Sequence, residues 1–176
     1  MELTSHAGGA RALWNATLSD AAVGLAWLGQ AGFAVRHAGH RLLIDPYHFL
    51  GFILKLGGLT LYHAGDCVVY DGQAERLRAR KIDLALLPVN GRSDRLSARG
   101  IPGNMTFDEA RKLCLAAGIE AMMPHHFGMF AFNTVEADEL QRQAAQSAPG
   151  WHCVLPAADQ FYRLTPVTDN STPAPP

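Results

Sequence analysis

Apolar positions come first in short strand-like runs and later alternate with helix-period segments. Gly24 to Arg36 and His40 to Ile44 read as two strands, because Trp27, Phe33, Val35, Leu42, Leu43 and Ile44 suit a pleated surface and His37-Ala38-Gly39 supplies a turn. A third strand is predicted at Phe52 to Leu56 and a fourth at Thr60 to His63. The segment Phe49 to Leu56 should form a hairpin with the fourth strand through Gly57-Gly58. Ahead of these, Met1 to Ala22 has mixed polarity and little pattern apart from Leu13, Trp14 and Leu18, and reads as a lead-in or a short helix.

Beyond His63 the order changes. Asp71 to Arg80 reads as a short helix with Ala74 and Leu77 inward, and Ile82 to Pro88 as a continuous apolar, buried strand. Thr106-Phe107-Asp108-Glu109 fits a reciprocal cap: the threonine oxygen accepts from the Glu109 amide while the Glu109 carboxylate reaches back, and Gly118 ends the helix. A strand from Ile119 to Met123 should stop at Pro124. A helix capped by Asn133 or Thr134 should run to about Ala145, and strands follow at Trp151 to Leu155 and Gln160 to Leu164. Strands first, then helices alternating with strands, indicate an α/β protein with helices packed outside sheet layers. The organisation expected is a lead-in over 1–23, one domain over 24–164 and a disordered, proline-rich tail over 165–176.

Composition narrows the function classes. Fifteen basic against 16 acidic residues give a net charge of -1, which supplies no field to attract nucleic acid or an anionic membrane. The apolar stretch from Phe49 to Leu56 is too short to span a bilayer, and the N-terminus lacks a signal-like basic and apolar pattern. Three scattered cysteines, Cys67, Cys114 and Cys153, suggest neither a disulfide framework nor a zinc knuckle, so a soluble protein of the reducing cytoplasm is expected.

Candidate chemistry gathers at strand ends. Asp66 in Gly65-Asp66 follows a strand, where a carboxylate can ligate a metal or be an ordinary turn aspartate. His125 and His126 leave another apolar strand, and adjacent residues on an extended chain face opposite ways, so only one of them should face a given site. Asn90-Gly91-Arg92 follows a third strand, with an arginine suited to a phosphate or carboxylate and a glycine that lets amides approach. Cys67 with His63 could be cast as nucleophile and base, but no third residue orients them.

Taken in order, the segments Trp27 to Phe33, Leu43 to Pro46, Leu61 to Asp66, Leu86 to Arg92, Gly103 to Thr106 and Pro124 to Phe127 resemble the metallo-β-lactamase-fold hydrolases, and within them the L-ascorbate-6-phosphate lactonase type. The resemblance implies an αβ/βα sandwich with mixed sheets and a divalent metal, zinc or manganese, at one edge. It implies hydrolysis of a lactone, ester or amide. By position, Asp66 matches a metal-ligand aspartate and possible proton acceptor, and His126 the late ligand histidine. Asn90, Gly91 and Arg92 match a loop lining the site, where Arg92 would hold a small anionic or phosphorylated substrate.

One part of that pattern is missing. The family signature His-x-His-x-Asp-His belongs between Asp45-Pro46 and Tyr62 to Asp66, and no such string occurs. Only 14 residues separate Pro46 from Leu61, with one histidine, His48, and no acidic residue. The stretch LIDPYHFLGFILKLGGLTLYHAGD therefore reads as a join near Leu50-Gly51, an internal deletion that leaves the sandwich incomplete. A catalytic zinc ordinarily takes three protein ligands. His48, His63 and His125 are the candidates to join Asp66 and His126. Without one of them the chain is an impaired hydrolase or, alternatively, a non-catalytic binder of small anions such as sugar phosphates. Apolar faces left uncovered would invite pairing with a second copy, a homo-oligomer.

Overall fold

The structure is a computed structural model that describes residues 1–29, 31–44, 51–128, 131–146 and 148–167. In chain order its elements are β1 (Glu2–Ala7), α1 (Gly9–Asn15), β2 (Val23–Gly29), β3 (Gly32–His37), β4 (His40–Ile44), β5 (Phe52–Leu56), β6 (Leu59–His63), α2 (Gln73–Arg80), β7 (Leu84–Pro88), α3 (Asp94–Ser97), α4 (Phe107–Ala117), β8 (Ala121–His125), α5 (Ala137–Ala144), β9 (His152–Cys153) and β10 (Gln160–Thr165). Two five-stranded sheets result, ordered β1-β10-β2-β3-β4 and β5-β6-β7-β8-β9. The first is wholly antiparallel. The second is mixed, with β5 antiparallel to β6 and parallel pairing from β6 to β9.

Side-chain alternation builds the layers. Leu25 and Phe33 of the first sheet meet Leu61, Leu86 and Met123 of the second in the inter-sheet core. Residues of opposite parity on the second sheet, Ala85, Leu87 and Met122, pack against Leu77 of α2, Leu113 of α4 and Leu140 of α5. On the outer face of the first sheet, Ala26, Ala34 and Phe161 pack under Leu13 of α1. Gly24 permits that approach, since a Cβ there would sit 2.3 Å from a Leu13 methyl. The order helix, sheet, sheet, helices is the αβ/βα sandwich.

Local chemistry sets the turns. Gly57 and Gly58, at φ 56° and 79°, join β5 to β6 with Leu56 opposite Leu59, the two-residue hairpin that needs positive φ at both central positions. Thr106 Oγ1 accepts from the Glu109 amide and the Glu109 carboxylate accepts from the Thr106 amide, so α4 begins with the expected reciprocal cap and ends at Gly118.

Several expectations are corrected. Met1 to Ala22 contributes an edge strand, β1, as well as the short helix α1. Gly24 to Arg36 is two strands, because Gly29 at φ 98° reverses the chain and the absent Cβ of Gly32 would lie 3.3 Å from the Gly29 carbonyl oxygen. β8 runs through Pro124 to His125. Its even-numbered residues face β9, which pairs only with Ala121 and Met122, so no ladder bond is lost at a proline nitrogen beyond them. α5 starts at Ala137 without a side-chain cap, because Asn133 and Thr134 are engaged by Asn90 and the Gly128 amide instead. β9 is shorter than the expected strand from Trp151 to Leu155, and α3, capped by Ser93, was not foreseen. Residues 45–50, which hold the proposed seam, and 168–176 of the tail lie outside the described residues.

β4 and β5 are edge strands carrying exposed Leu42, Leu43, Phe52 and Ile53. Among the described residues no helix is long and apolar enough to cross a membrane. Thr106→Ala is expected to lower unfolding free energy by about 1 kcal/mol, measured by urea denaturation, because the Glu109 amide at the start of α4 loses the hydroxyl oxygen that caps it. An unchanged midpoint would contradict the assigned role.

Candidate functional site

The carboxyl ends of β6, β7 and β8 lie side by side, so the residues that follow them share one rim of the second sheet. Asp66 follows β6, Asn90 follows β7 and His126 follows β8. His126 sits at φ 66°, a left-handed conformation uncommon for a residue other than glycine. That turn carries its ring away from the alternation of the strand, and Nε2 donates to Asp66 Oδ1 across 3.0 Å. Asp66 and His126 therefore converge, as expected.

Asn104 holds this arrangement from behind. At 2 % exposure, its carboxamide oxygen accepts from the Cys67 amide at 2.7 Å, and its nitrogen donates to Asn90 Oδ1 at 2.9 Å and Asp66 Oδ1 at 3.4 Å. Asn90 in turn donates to Asn133 at 2.9 Å. Gly91 donates its amide to the Met105 carbonyl and accepts at its own carbonyl from the Asn104 amide. The loops that follow β6 and β7 are thereby tied to one buried side chain.

Arg92 is committed within the protein. Its guanidinium meets both oxygens of the Glu109 carboxylate, at 2.6 and 2.7 Å, and donates to the Asn104 carbonyl at 3.1 Å. An anion at the Asn90 to Arg92 loop would have to compete with Glu109 for that paired edge. Asn90 and Arg92 do line a cavity, one of about 160 Å³.

The other two histidines point inward. His63 and His125 are fully buried on the inter-sheet side and stack at 4.8 Å, with Phe33 edge-on to both. His63 Nε2 donates to the Ala31 carbonyl at 2.7 Å, and its Nδ1 accepts from the Gly65 amide, so both nitrogens are occupied and the neutral ring is fixed. Burial pushes the His63 pKa down to about 4. His125 is held well below the usual histidine range by burial and then by its histidine neighbours. Burial raises the Asp66 carboxyl, but hydrogen bonds from His126 and Asn104 outweigh it and leave the group below its ordinary value. Among the described residues, no three of His, Cys, Asp and Glu gather around one point. His48 lies outside the described residues.

Residues 16–127 match a family model described as a beta-lactamase superfamily domain. The chain belongs to the β-lactamase superfamily. Its relatives within this superfamily include a UPF0173 metal-dependent hydrolase of Nitratidesulfovibrio vulgaris, 29% identical over 128 residues covering 67% of this chain and 48% of that protein. A UPF0173 metal-dependent hydrolase of Pelotomaculum thermopropionicum is 34% identical over 84 residues, 48% of this chain and 34% of that protein. The chain thus spans about a third to a half of the length of these curated relatives. In fold, it is similar to a metallo hydrolase from Ignicoccus hospitalis, with TM-score 0.63 and 13% identity over 81% of this chain and 98% of that one. A zinc-dependent hydrolase structure of the metallo-β-lactamase superfamily from Thermotoga maritima gives TM-score 0.52 at 16% identity, over 68% and 84% of the two chains.

Within this superfamily fold, sequence reading located Asp66, His126 and Asn90 but gave Asn104 no role. The available signal was a lone polar residue between Gly103 and the α4 cap, in a stretch that must turn back toward the rim. Glu109 was read as a cap and not as the partner of Arg92. That pairing, opposed by partial burial, takes the Glu109 carboxyl down to about 2. A folded pKa below the unfolded value near 4.5 means the stabilisation is fully present above pH 4.5 and is lost as pH falls toward 2. The stability difference between the native protein and Glu109→Gln should therefore be widest near neutral pH and close below pH 4.5; a difference independent of pH would contradict the assignment.

Proposed function

We propose that this chain is a metal-dependent hydrolase of the β-lactamase superfamily by descent, with a metal centre reduced to two protein ligands, and that its own hydrolytic activity is impaired. The observation that carries the reading is the 3.0 Å contact between Asp66 Oδ1 and His126 Nε2 at the rim of the second sheet. Two atoms bonded to one zinc or manganese ion at about 2.0 to 2.2 Å lie roughly 3 to 4 Å apart, so the pair suits two corners of such a site. Names of relatives as metal-dependent hydrolases support the ion's chemical class.

The donor set does not suit a complete catalytic site. His63 has both nitrogens engaged, and His125 is enclosed between the sheets beside Phe33. What the residues present can do is narrower: Asp66 accepts a hydrogen bond from His126 and keeps its charge, while Asn104 fixes its position. A third ligand from residues 45–50 or from a second copy would restore the full count, and the experiment below reads that directly. The order of motifs from Trp27 to Phe127 supports placing the chain near the lactonase-like branch, so lactones are the first substrates to assay.

Protein incubated with zinc or manganese and then desalted is expected to retain well under one ion per chain by elemental analysis. Lactone and ester hydrolysis should stay at the level of Asp66→Asn and His126→Ala. One tightly held ion per chain, with turnover abolished by Asp66→Asn, would overturn the impaired reading.

A further inference from the structure

A second polar feature lies on the helix side of the mixed sheet, apart from the Asp66–His126 contact. Between β5, β6 and α2 is a cavity of about 530 Å³, within the range of small-molecule sites, bounded by Ile53, Tyr62, Tyr70, Arg76, Leu77 and Arg80. Its floor is built. Gln73, 1 % exposed, accepts from the Tyr70 amide at 3.3 Å and donates to the Tyr62 hydroxyl at 3.3 Å and to Cys67 Sγ at 3.6 Å.

The hydroxyl of Tyr62 is the informative group. The residue is 7 % exposed, and its oxygen already accepts from Gln73, yet among the described residues its own proton has no acceptor. Burial pushes the phenol up to about 12, so the group remains a donor at neutral pH. Around the same cavity stand two cations and no carboxylate. Arg76 and Arg80, one helical turn apart on α2, form no ion pair with a carboxylate among the described residues, and Arg76 lies over the Tyr70 ring at 5.9 Å. Ile53, Leu77 and the Tyr70 ring supply apolar wall. A donor that needs an acceptor, two unpaired guanidinium groups and an apolar lining select an anion with an apolar body.

We propose that the cavity between β5, β6 and α2 binds a small organic carboxylate, its oxygens taken by Arg76, Arg80 and the Tyr62 hydroxyl and its hydrocarbon part lying against Ile53, Leu77 and Tyr70. The site does not depend on a metal at Asp66 and His126. Cys67 lines the cavity and immediately follows Asp66 in the chain, which gives the site a chemical reporter.

The test is calorimetric titration of the full chain with 4-phenylbutyrate, beside neutral 4-phenylbutanamide and inorganic phosphate, with alkylation of Cys67 by iodoacetamide followed by mass spectrometry. The carboxylate should bind with a dissociation constant of about 1 mM or tighter and slow alkylation at Cys67. The amide and phosphate should each bind at least about tenfold more weakly, because each lacks one half of the recognition. Arg76→Ala/Arg80→Ala, both at exposed helix positions, should weaken the carboxylate about tenfold or more, and Tyr62→Phe several-fold, with native circular dichroism in each. No binding at about 10 mM, affinity unchanged in both variants, phosphate binding as tightly as 4-phenylbutyrate, or binding without protection of Cys67 would each overturn the proposal.

Discussion

A single buried carboxamide organises the rim of this molecule. Asn104 offers one acceptor and two donors, and the Cys67 amide, Asn90 and Asp66 use all three. Asp66 and Cys67 belong to the loop that follows β6, and Asn90 to the loop that follows β7. Parallel strands deliver those loops to one edge, but they do not fix where each side chain points. The carboxamide does, and burial makes it demanding: an unmatched polar group there would cost about 1 to 3 kcal/mol, so both loops settle into the arrangement that satisfies it.

The same economy explains why the nearby imidazoles divide into two populations. Strand alternation sends His63 and His125 inward, where they stack as neutral rings against Phe33, and His63 spends both nitrogens on backbone groups. His126 escapes the alternation by taking a left-handed backbone conformation, and it forms the contact with Asp66. Arg92 shows a parallel commitment, because Glu109 serves it and the Thr106 cap at once. Arg92 and His63, polar groups that look available in a linear reading, are therefore used up by the fold, whereas Arg76 and Arg80, beside a cavity on α2, form no ion pair with a carboxylate among the described residues.

Much of the fold was legible because local rules and packing agree. The glycine pair at 57 and 58, the α4 cap and the apolar run of β7 each have one favourable structure. Reading failed where tertiary context decided. β1 is polar and alternates weakly, and it is a strand only because β10 offers it a ladder from Glu2 to Ala7. Pro124 stays within a strand because β9 ends before reaching it. At the site, Asp66 and His126 were legible as residues that follow apolar strands, whereas the Asn104 connections span 14 to 38 positions along the chain and carry no local pattern. The pairing of Arg92 with Glu109 was hidden for the same reason.

Hydrogen exchange at the Cys67 amide tests the central claim most directly, that Asn104 sets the geometry around Asp66. That amide follows no strand or helix ladder and has the Asn104 carboxamide oxygen as its acceptor. In the native protein it should exchange slowly, and Asn104→Ala should release it together with the Gly91 amide, while amides within β7 and β8 keep their protection. A Cys67 amide that exchanges freely in the native protein, or one equally protected in Asn104→Ala, would contradict the account.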